Sequence, residues 1–446
     1  MLTAVLVGLF YWGGGSPLAN LDRPEESLER LVAREMDFQD VMSQIPAWEL
    51  RLYELTGSEP ETLADAIERF DELGEDRRSA RSDLDLVVLL GESGQLERAA
   101  ALIDALDGSD ADAAHYARWL DAAYLDAPPA AEATLMVEEI RRELPRDWFV
   151  DTLVRRIATR VDDPAVQAEA EASIEARGRS LLTRVRALTA TTGVVVLATV
   201  VLLWRLLRLP AGGRVAPGPL PPRWGGADGL GLFLRAAFAY LLVHALVVQL
   251  LPHAAPGTAV MGLLGGLPML WWLRRYLHAH GSSIRDTFGL RAPGGGGLRA
   301  AAWSVVLLGV SLAGEELFSI GLTALGVTSH WTDSFHEDLL WGSPAVVAAS
   351  TLDTVVWAPI FEELAFRGLL YPTLRLHLPS WPAALLSAAL FGVAHGYGLP
   401  GFVAVTWSGM IWAVGYERTR SLLPGMVAHA ASNLLTTASF LVLLRF

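Results

Sequence analysis

The chain has 446 residues, a length that predicts about two or three domains rather than one. Hydrophobic residues make up 52% of it, a share that indicates membrane segments. Cysteine is absent, which excludes disulfides, thiolate metal ligands and cysteine nucleophiles. The net charge is −14 and no basic stripe is present, so nucleic acid is not an expected partner.

The first residues are apolar but few. Residues 1–12 read MLTAVLVGLFYW, and twelve residues at about 1.5 Å each fall short of a bilayer core about 30 Å thick. No basic region precedes this run, which argues against a standard signal peptide. Residues 1–19 are therefore interpreted as a short apolar segment, an anchor that would begin further upstream.

Residues 20–180 carry most of the acidic charge, since 38 of the 49 Asp and Glu residues lie between Asp22 and Glu175. Apolar residues recur there at helical spacing, which predicts a soluble α-helical domain. The stretch that begins at Gly91 is weakly similar to one tetratricopeptide-type helix-turn-helix, although no second copy follows. We interpret the domain either as an acidic spacer or as a module that docks a protein substrate.

From residue 187 onward the chain predicts a polytopic, all-α bundle of about eight membrane helices in a lipid bilayer. Residues 187–284 hold the first of these helices and their linkers. The apolar runs lie near 187–204, 229–251, 256–273, 300–325, 346–371, 381–395, 401–416 and 421–444. The runs at 381–395 and 401–416 are short for a span, so their boundaries are the least secure.

Arginine in the short loops predicts the orientation of these helices. Loops 205–228 and 274–299 are rich in arginine and are expected on the cytoplasmic side, whereas loop 326–343 carries three acidic residues and no arginine and is expected outside. This alternation places residues 20–180 outside a bacterial cytoplasmic membrane, provided that 187–204 is a span.

Ionisable residues within the apolar helices mark function, because charge is costly at bilayer depth. The run at 346–371 contains Glu362 and Glu363, which point about 100° apart on a helix and so cannot do the same work. Glu363 and Arg367 are four residues apart and can pair along one face. Glu362 is then left to face a cavity as a general base.

Two later helices add polar groups at the same spacing of four. Phe391 and His395 share one face, which gives an aromatic wall beside an imidazole, and His429 and Asn433 share another. A carboxylate, two imidazoles and an amide can activate water and stabilise an oxyanion. Alternatively, Glu362, His395 and His429 could ligate a divalent metal such as zinc, and the residue types leave both mechanisms open.

Other acids in the membrane region are interpreted as secondary. Glu315 and Glu316 repeat the two adjacent glutamates, but Ile320 stands where an arginine would be needed. Asp353 lies nine residues before Glu362 and is expected to pair with Arg235 or with a backbone group.

Three motifs together resemble the CPBP family of intramembrane proteases, which includes the CAAX prenyl protease 2, abortive-infection and bacteriocin-processing proteins. They are EELAFR at 362–367, FGVAH at 391–395 and HAASN at 429–433, and the resemblance covers 285–446. It implies a membrane endopeptidase that acts on a membrane-anchored protein or peptide.

The resemblance also implies residue roles. Glu362 would activate water with help from His395, and His429 and Asn433 would form the oxyanion site. Glu363 and Arg367 would be the supporting pair, and the family is described with either a metal-free glutamic or a metal-dependent mechanism. The metal-free form is favoured here, without a cofactor. The rival interpretations are a non-catalytic immunity or assembly scaffold of the same fold, and a transporter that relays protons.

Overall fold

The computed structural model describes residues 18, 21–55, 62–108, 111–208, 224–250, 261–290 and 296–446, and within these ranges it contains helices and no strand. The prediction of an all-α fold is confirmed. The interpretation of residues 1–12 as part of an anchor lies outside the described residues. The chain divides into two compact units, with the boundary between residues 187 and 188.

Within the described residues, the N-terminal unit contains eight helices and the first part of a ninth. Polar caps fix several of the helix starts: Thr62 and Asp65 exchange hydrogen bonds at the start of the helix Leu63–Asp76, and the Asp147 side chain accepts a hydrogen bond from the Val150 amide at the start of the helix Trp148–Arg160. The helices are α1 (Pro24–Met42), α2 (Ala47–Leu55), α3 (Leu63–Asp76), α4 (Ala80–Glu92), α5 (Leu96–Asp107), α6 (Ala111–Tyr124), α7 (Ala130–Glu143), α8 (Trp148–Arg160) and α9 (Pro164–Leu207).

Buried ion pairs tie α9 to the earlier helices of this unit. The Arg177 guanidinium lies 2.9 Å from an Asp37 oxygen and 2.5 Å from an Asp151 oxygen, and both aspartates are almost fully buried. The next residue is Gly178, where a Cβ atom would overlap Val41. The close approach of α9 and α1 therefore requires glycine at 178.

A second cluster places one arginine among three carboxylates. Arg81 lies 2.5 Å from Glu29, 3.3 Å from Asp147 and 3.5 Å from Asp85. Burial raises the pKa of Asp85 well above its usual range and that of Asp147 to about 7. Between about pH 4 and about pH 7 these aspartates therefore stay protonated in the folded unit, whereas they are ionised in the unfolded chain.

This cluster predicts that the unit loses stability as the pH rises. Because the folded-state pKa values are raised, the stabilising contribution is complete below about pH 4 and is lost on going through about pH 7. We expect the thermal midpoint of the full-length protein to fall by on the order of 5 °C between about pH 5.5 and pH 8, and Asp85→Asn to reduce that fall. Circular dichroism in detergent measures it. Asp83→Asn, which removes a surface partner of Arg78, is the control, and an equal fall in the Asp85 variant would contradict the prediction.

In the part of the chain that the structure describes, the membrane unit comprises the rest of α9, nine further helices and a 3-10 turn at Trp331–Ser334. Its helices are α10 (Gly226–Leu250), α11 (Met261–Ala279), α12 (Ile284–Thr287), α13 (Gly296–Ala324), α14 (Glu337–Trp341), α15 (Pro344–Leu374), α16 (Ser380–His395), α17 (Leu399–Thr419) and α18 (Leu423–Arg445).

Six described helices are long and apolar enough to cross a membrane, namely α9, α10, α13, α15, α17 and α18. The protein is thus an integral, multi-pass membrane protein. The sequence predicts about eight spans, and the two additional apolar runs are also helices. One is α11, which ends in charged residues such as Arg274 and Arg275, and the other is α16, which has only 16 residues.

The central helix of the membrane unit is α15, which packs against α10, α11, α16, α17 and α18. It is not a uniform α-helix. Two segments, Asp353–Trp357 and Glu363–Leu370, have π-helical hydrogen bonding, in which each amide donates to the carbonyl five residues earlier. Such segments occur often at functional sites.

Asp353 is a structural residue in this unit. Its carboxylate accepts hydrogen bonds from the backbone amides of Gly262 (2.8 Å) and Leu263 (3.0 Å), which lie in the first described turn of α11. The sequence suggests either Arg235 or a backbone group as the partner of Asp353, and in the structure the partners are these backbone amides. Asp353 thus caps α11 from the side of α15, and the negative charge also suits the positive end of the helix dipole.

Removing this cap is expected to weaken the membrane unit without removing its chemistry. Asp353→Ala leaves two amides of α11 unpaired and should cost about 1–2 kcal/mol of unfolding free energy. Thermal unfolding in detergent measures the loss, and Asp353→Asn, which keeps one acceptor oxygen, should lose less. Equal stability of the alanine variant and the wild type would show that the cap contributes nothing.

Candidate active site

The site is centred on a buried ion pair within α15. An Arg367 Nη1 atom lies 2.9 Å from Glu363 Oε1, and both side chains are almost completely buried. The Arg367 Nε donates to the Gly409 carbonyl at 3.3 Å, and the guanidinium lies over the rings of Phe391 (4.1 Å) and Trp412 (5.1 Å). The pairing predicted from the spacing of four is present, and aromatic faces supplement it.

His429 of α18 lies between the two glutamates of α15. Its Nδ1 is 3.3 Å from Glu363 Oε1, and its Nε2 is 3.7 Å from Glu362 Oε2. Because a carboxylate can only accept, Nδ1 carries a proton in the first contact. The ring also stacks on Trp412 with 4.2 Å between centroids, so the Glu363 contact and the stacking together fix its orientation.

Glu362 differs from its neighbour in exposure. Its side chain keeps 30% of its accessible surface, whereas that of Glu363 keeps none. The 3.7 Å separation from His429 exceeds a direct hydrogen bond. Glu362 is therefore the more accessible of the two carboxylates, while Glu363 contacts Arg367 and His429.

His395 lies at the end of α16, on the other side of an aromatic ring. Its Nδ1–H donates a hydrogen bond to the Phe391 carbonyl at 2.8 Å, which leaves Nε2 as the available nitrogen. The Phe391 ring is 4.5 Å from the His395 ring and 5.9 Å from the His429 ring. Phe391 thus forms the aromatic wall that the sequence predicts, and it contacts both imidazoles.

Asn433 does not pair with His429, although both lie on α18. Its Nδ2 donates to the Thr354 carbonyl at 2.8 Å, so one of its two N–H bonds is engaged with the backbone of α15. The structure therefore brings Glu362, Glu363, Arg367 and His429 into direct contact, places His395 across Phe391, and places Asn433 against an earlier turn of α15.

The zinc alternative requires Glu362, His395 and His429 to converge. No group of three His, Asp or Glu side chains in the described part of the chain is arranged to hold a metal ion. Glu362, His395 and His429 therefore do not fit a metal centre in this arrangement.

Several contacting residues carry no signal in the sequence. Trp412 stacks on His429, but an aromatic residue in an apolar helix usually indicates core packing. Gly409 lies where a Cβ atom would come within 2.6 Å of Arg367 Nη2, so a side chain there would displace the guanidinium. The Glu315 carboxylate accepts a hydrogen bond from the adjacent Ser408, which explains how a second glutamate pair exists without joining the site.

The fold and this arrangement define an integral α-helical membrane protein with a buried carboxylate–imidazole centre. Residues 344–435 match a family model described as Type II CAAX prenyl endopeptidase Rce1-like. The matched segment begins with α15 and includes every candidate site residue. It confirms the resemblance indicated by the three motifs and supports peptidase activity. No curated protein and no solved structure matches the chain.

Proposed function

We propose that the protein is an intramembrane endopeptidase that hydrolyses a peptide bond in a membrane-anchored protein or peptide. The observation that carries this proposal is the pairing of a reachable carboxylate, Glu362, with a buried triad of Glu363, Arg367 and His429. Within this triad, Glu363 is held by Arg367 and contacts the His429 imidazole, so the imidazole has the rigid support that catalytic groups need.

In the proposed reaction Glu362 takes a proton from a water molecule, and the resulting hydroxide attacks the scissile carbonyl carbon. His395, with its Nε2 available, orients that water. The protonated Glu362 then gives its proton to the departing amine, which yields an acid and an amine and restores the carboxylate. The proposed reaction requires no cofactor.

The negative oxygen of the tetrahedral intermediate needs donors. His429 can donate from Nε2 only as the doubly protonated imidazolium, because its Nδ1 proton already faces Glu363. Asn433 retains a second N–H beyond the one bonded to Thr354, which suits the oxyanion role that the resemblance implies.

Metal chelation separates the two hydrolytic mechanisms. A metal-free glutamic enzyme should retain activity within about twofold after dialysis against a chelator, because none of the proposed steps uses a metal ion. Cleavage by the purified protein in detergent, with metal content measured on the same sample, provides the test. Loss of cleavage that zinc restores would instead establish the metal-dependent alternative.

The substrate and the cell compartment are part of the proposal. We infer a bacterial cytoplasmic membrane, with residues 20–180 outside, where this acidic unit docks protein substrates. Comparative proteomics of protein N- and C-termini is done in the native host with and without the gene. Substrates are the membrane-anchored proteins whose cleavage-generated termini are present with the gene and absent without it. An unchanged set of termini would favour the non-catalytic immunity or assembly scaffold.

A further inference from the structure

We propose that Asn433 is a positioning residue for Glu362, because its amide replaces a backbone hydrogen bond that Pro359 removes from α15. This inference rests on the proposed peptidase function and adds to it. It assigns a second task to a residue whose resemblance-based role is only to stabilise the oxyanion.

The Thr354 carbonyl has no donor at the two usual positions of the helix backbone. In an α-helix the donor would be the amide of Ala358, but that amide donates to the Asp353 carbonyl, which defines the π segment. In a π-helix the donor would be residue 359, which is proline and has no N–H. The Asn433 Nδ2, 2.8 Å away, supplies the missing donor from α18.

This bond matters because backbone groups at bilayer depth must be satisfied within the protein. Without Asn433, the simplest repair is for the Ala358 amide to shift from the Asp353 carbonyl to the Thr354 carbonyl. That shift converts the π turn into an α turn and rotates the residues that follow by about 100°. Glu362 lies four residues after Ala358, so this rotation would turn its side chain away from His429.

The π turn is held at both of its first two residues. The Asp353 side chain is bound to the amides of Gly262 and Leu263, and the Thr354 carbonyl is bound to Asn433. Pro359, the turn and Asn433 thus form one unit whose effect is the direction of Glu362.

A double-mutant cycle tests the inference. Pro359→Ala gives residue 359 an N–H five residues after Thr354, so the π-type bond can form without Asn433. We expect Asn433→Ala to lower kcat by about 30-fold in the wild-type background and by no more than about threefold in the Pro359→Ala background. Pro372→Ala, which adds an N–H elsewhere in α15, is the matched control, and there the 30-fold loss should persist.

If Asn433→Ala lowers kcat equally in the wild-type, Pro359→Ala and Pro372→Ala backgrounds, the inference is overturned. A residue that acts only on the oxyanion cannot be rescued by a new N–H in the helix backbone. If Asn433→Ala does not fold, the thermal midpoints of the same variants decide: recovery with Pro359→Ala supports the inference, and no recovery overturns it. Glu362→Ala is measured alongside. Retained cleavage in that variant would remove the peptidase proposal itself, whereas failed rescue beside an inactive Glu362→Ala would remove only this inference.

Discussion

Glu362→Gln is expected to lower the rate of substrate cleavage by about 1000-fold or more while the protein remains folded. Glutamine has the same shape but cannot accept a proton from water at neutral pH. Because Glu362 is half-buried and only 3.7 Å from His429, no other carboxylate can take its place without moving α15. Glu363, the nearest candidate, is already bound to Arg367 and His429.

The chain offers its own control for this substitution. Glu316 belongs to the similar tetrapeptide at 314–317, lies on α13 and is exposed. Glu316→Gln changes the same atoms in another apolar helix and should leave cleavage within about twofold of wild type. Glu315 is a poorer control, because it bonds to Ser408 beside the Gly409 that contacts Arg367.

Both variants are compared in membranes of cells that lack the wild-type protein, with substrate and product ends quantified by mass spectrometry. A Glu362→Gln variant that cleaves at the wild-type rate would mean that the carboxylate takes no proton, and hydrolysis would need another base. Loss of cleavage in the Glu316 variant would show that the assay responds to general damage of the bundle.

The sequence could select the candidate residues and the Glu363–Arg367 pair within one helix, but not the contacts between helices. Helical spacing and the cost of charge in lipid are enough to select Glu362, Glu363, Arg367 and His429, since both are properties of the sequence. Whether His429 meets a glutamate or Asn433 is decided by how α18 packs against α15, and no periodicity encodes that contact.

The π segments of α15 show the same limit more clearly. An apolar helix with π turns has almost the same composition as a regular one, so the sequence predicts a single helix at 346–371. Pro359 indicates an irregular helix because it removes one backbone N–H, but its effect depends on Asn433, a donor that lies 74 positions later. Asp353 is similar: its partner, the start of α11, is fixed by packing.

Arg367→Ala is expected to be the most destabilising of the single substitutions proposed here, at about 3–5 kcal/mol. It leaves the buried Glu363 carboxylate without its guanidinium partner, and it removes the guanidinium from the faces of Phe391 and Trp412. Arg375→Ala is the control. Arg375 pairs with Glu417 at 3.2 Å, but both side chains are partly exposed, so its loss should cost about 1 kcal/mol or less.

Removing both partners separates stability from chemistry. In Glu363→Leu/Arg367→Met the apolar side chains replace the ion pair, and such replacements are often neutral or stabilising. We expect the thermal midpoint to recover most of what Arg367→Ala loses, while cleavage stays at least about 100-fold below wild type, because His429 no longer has the carboxylate that fixes its Nδ1 proton. Recovery of cleavage together with stability would mean that the pair only fills space, and that His429 finds its orientation from Trp412 alone.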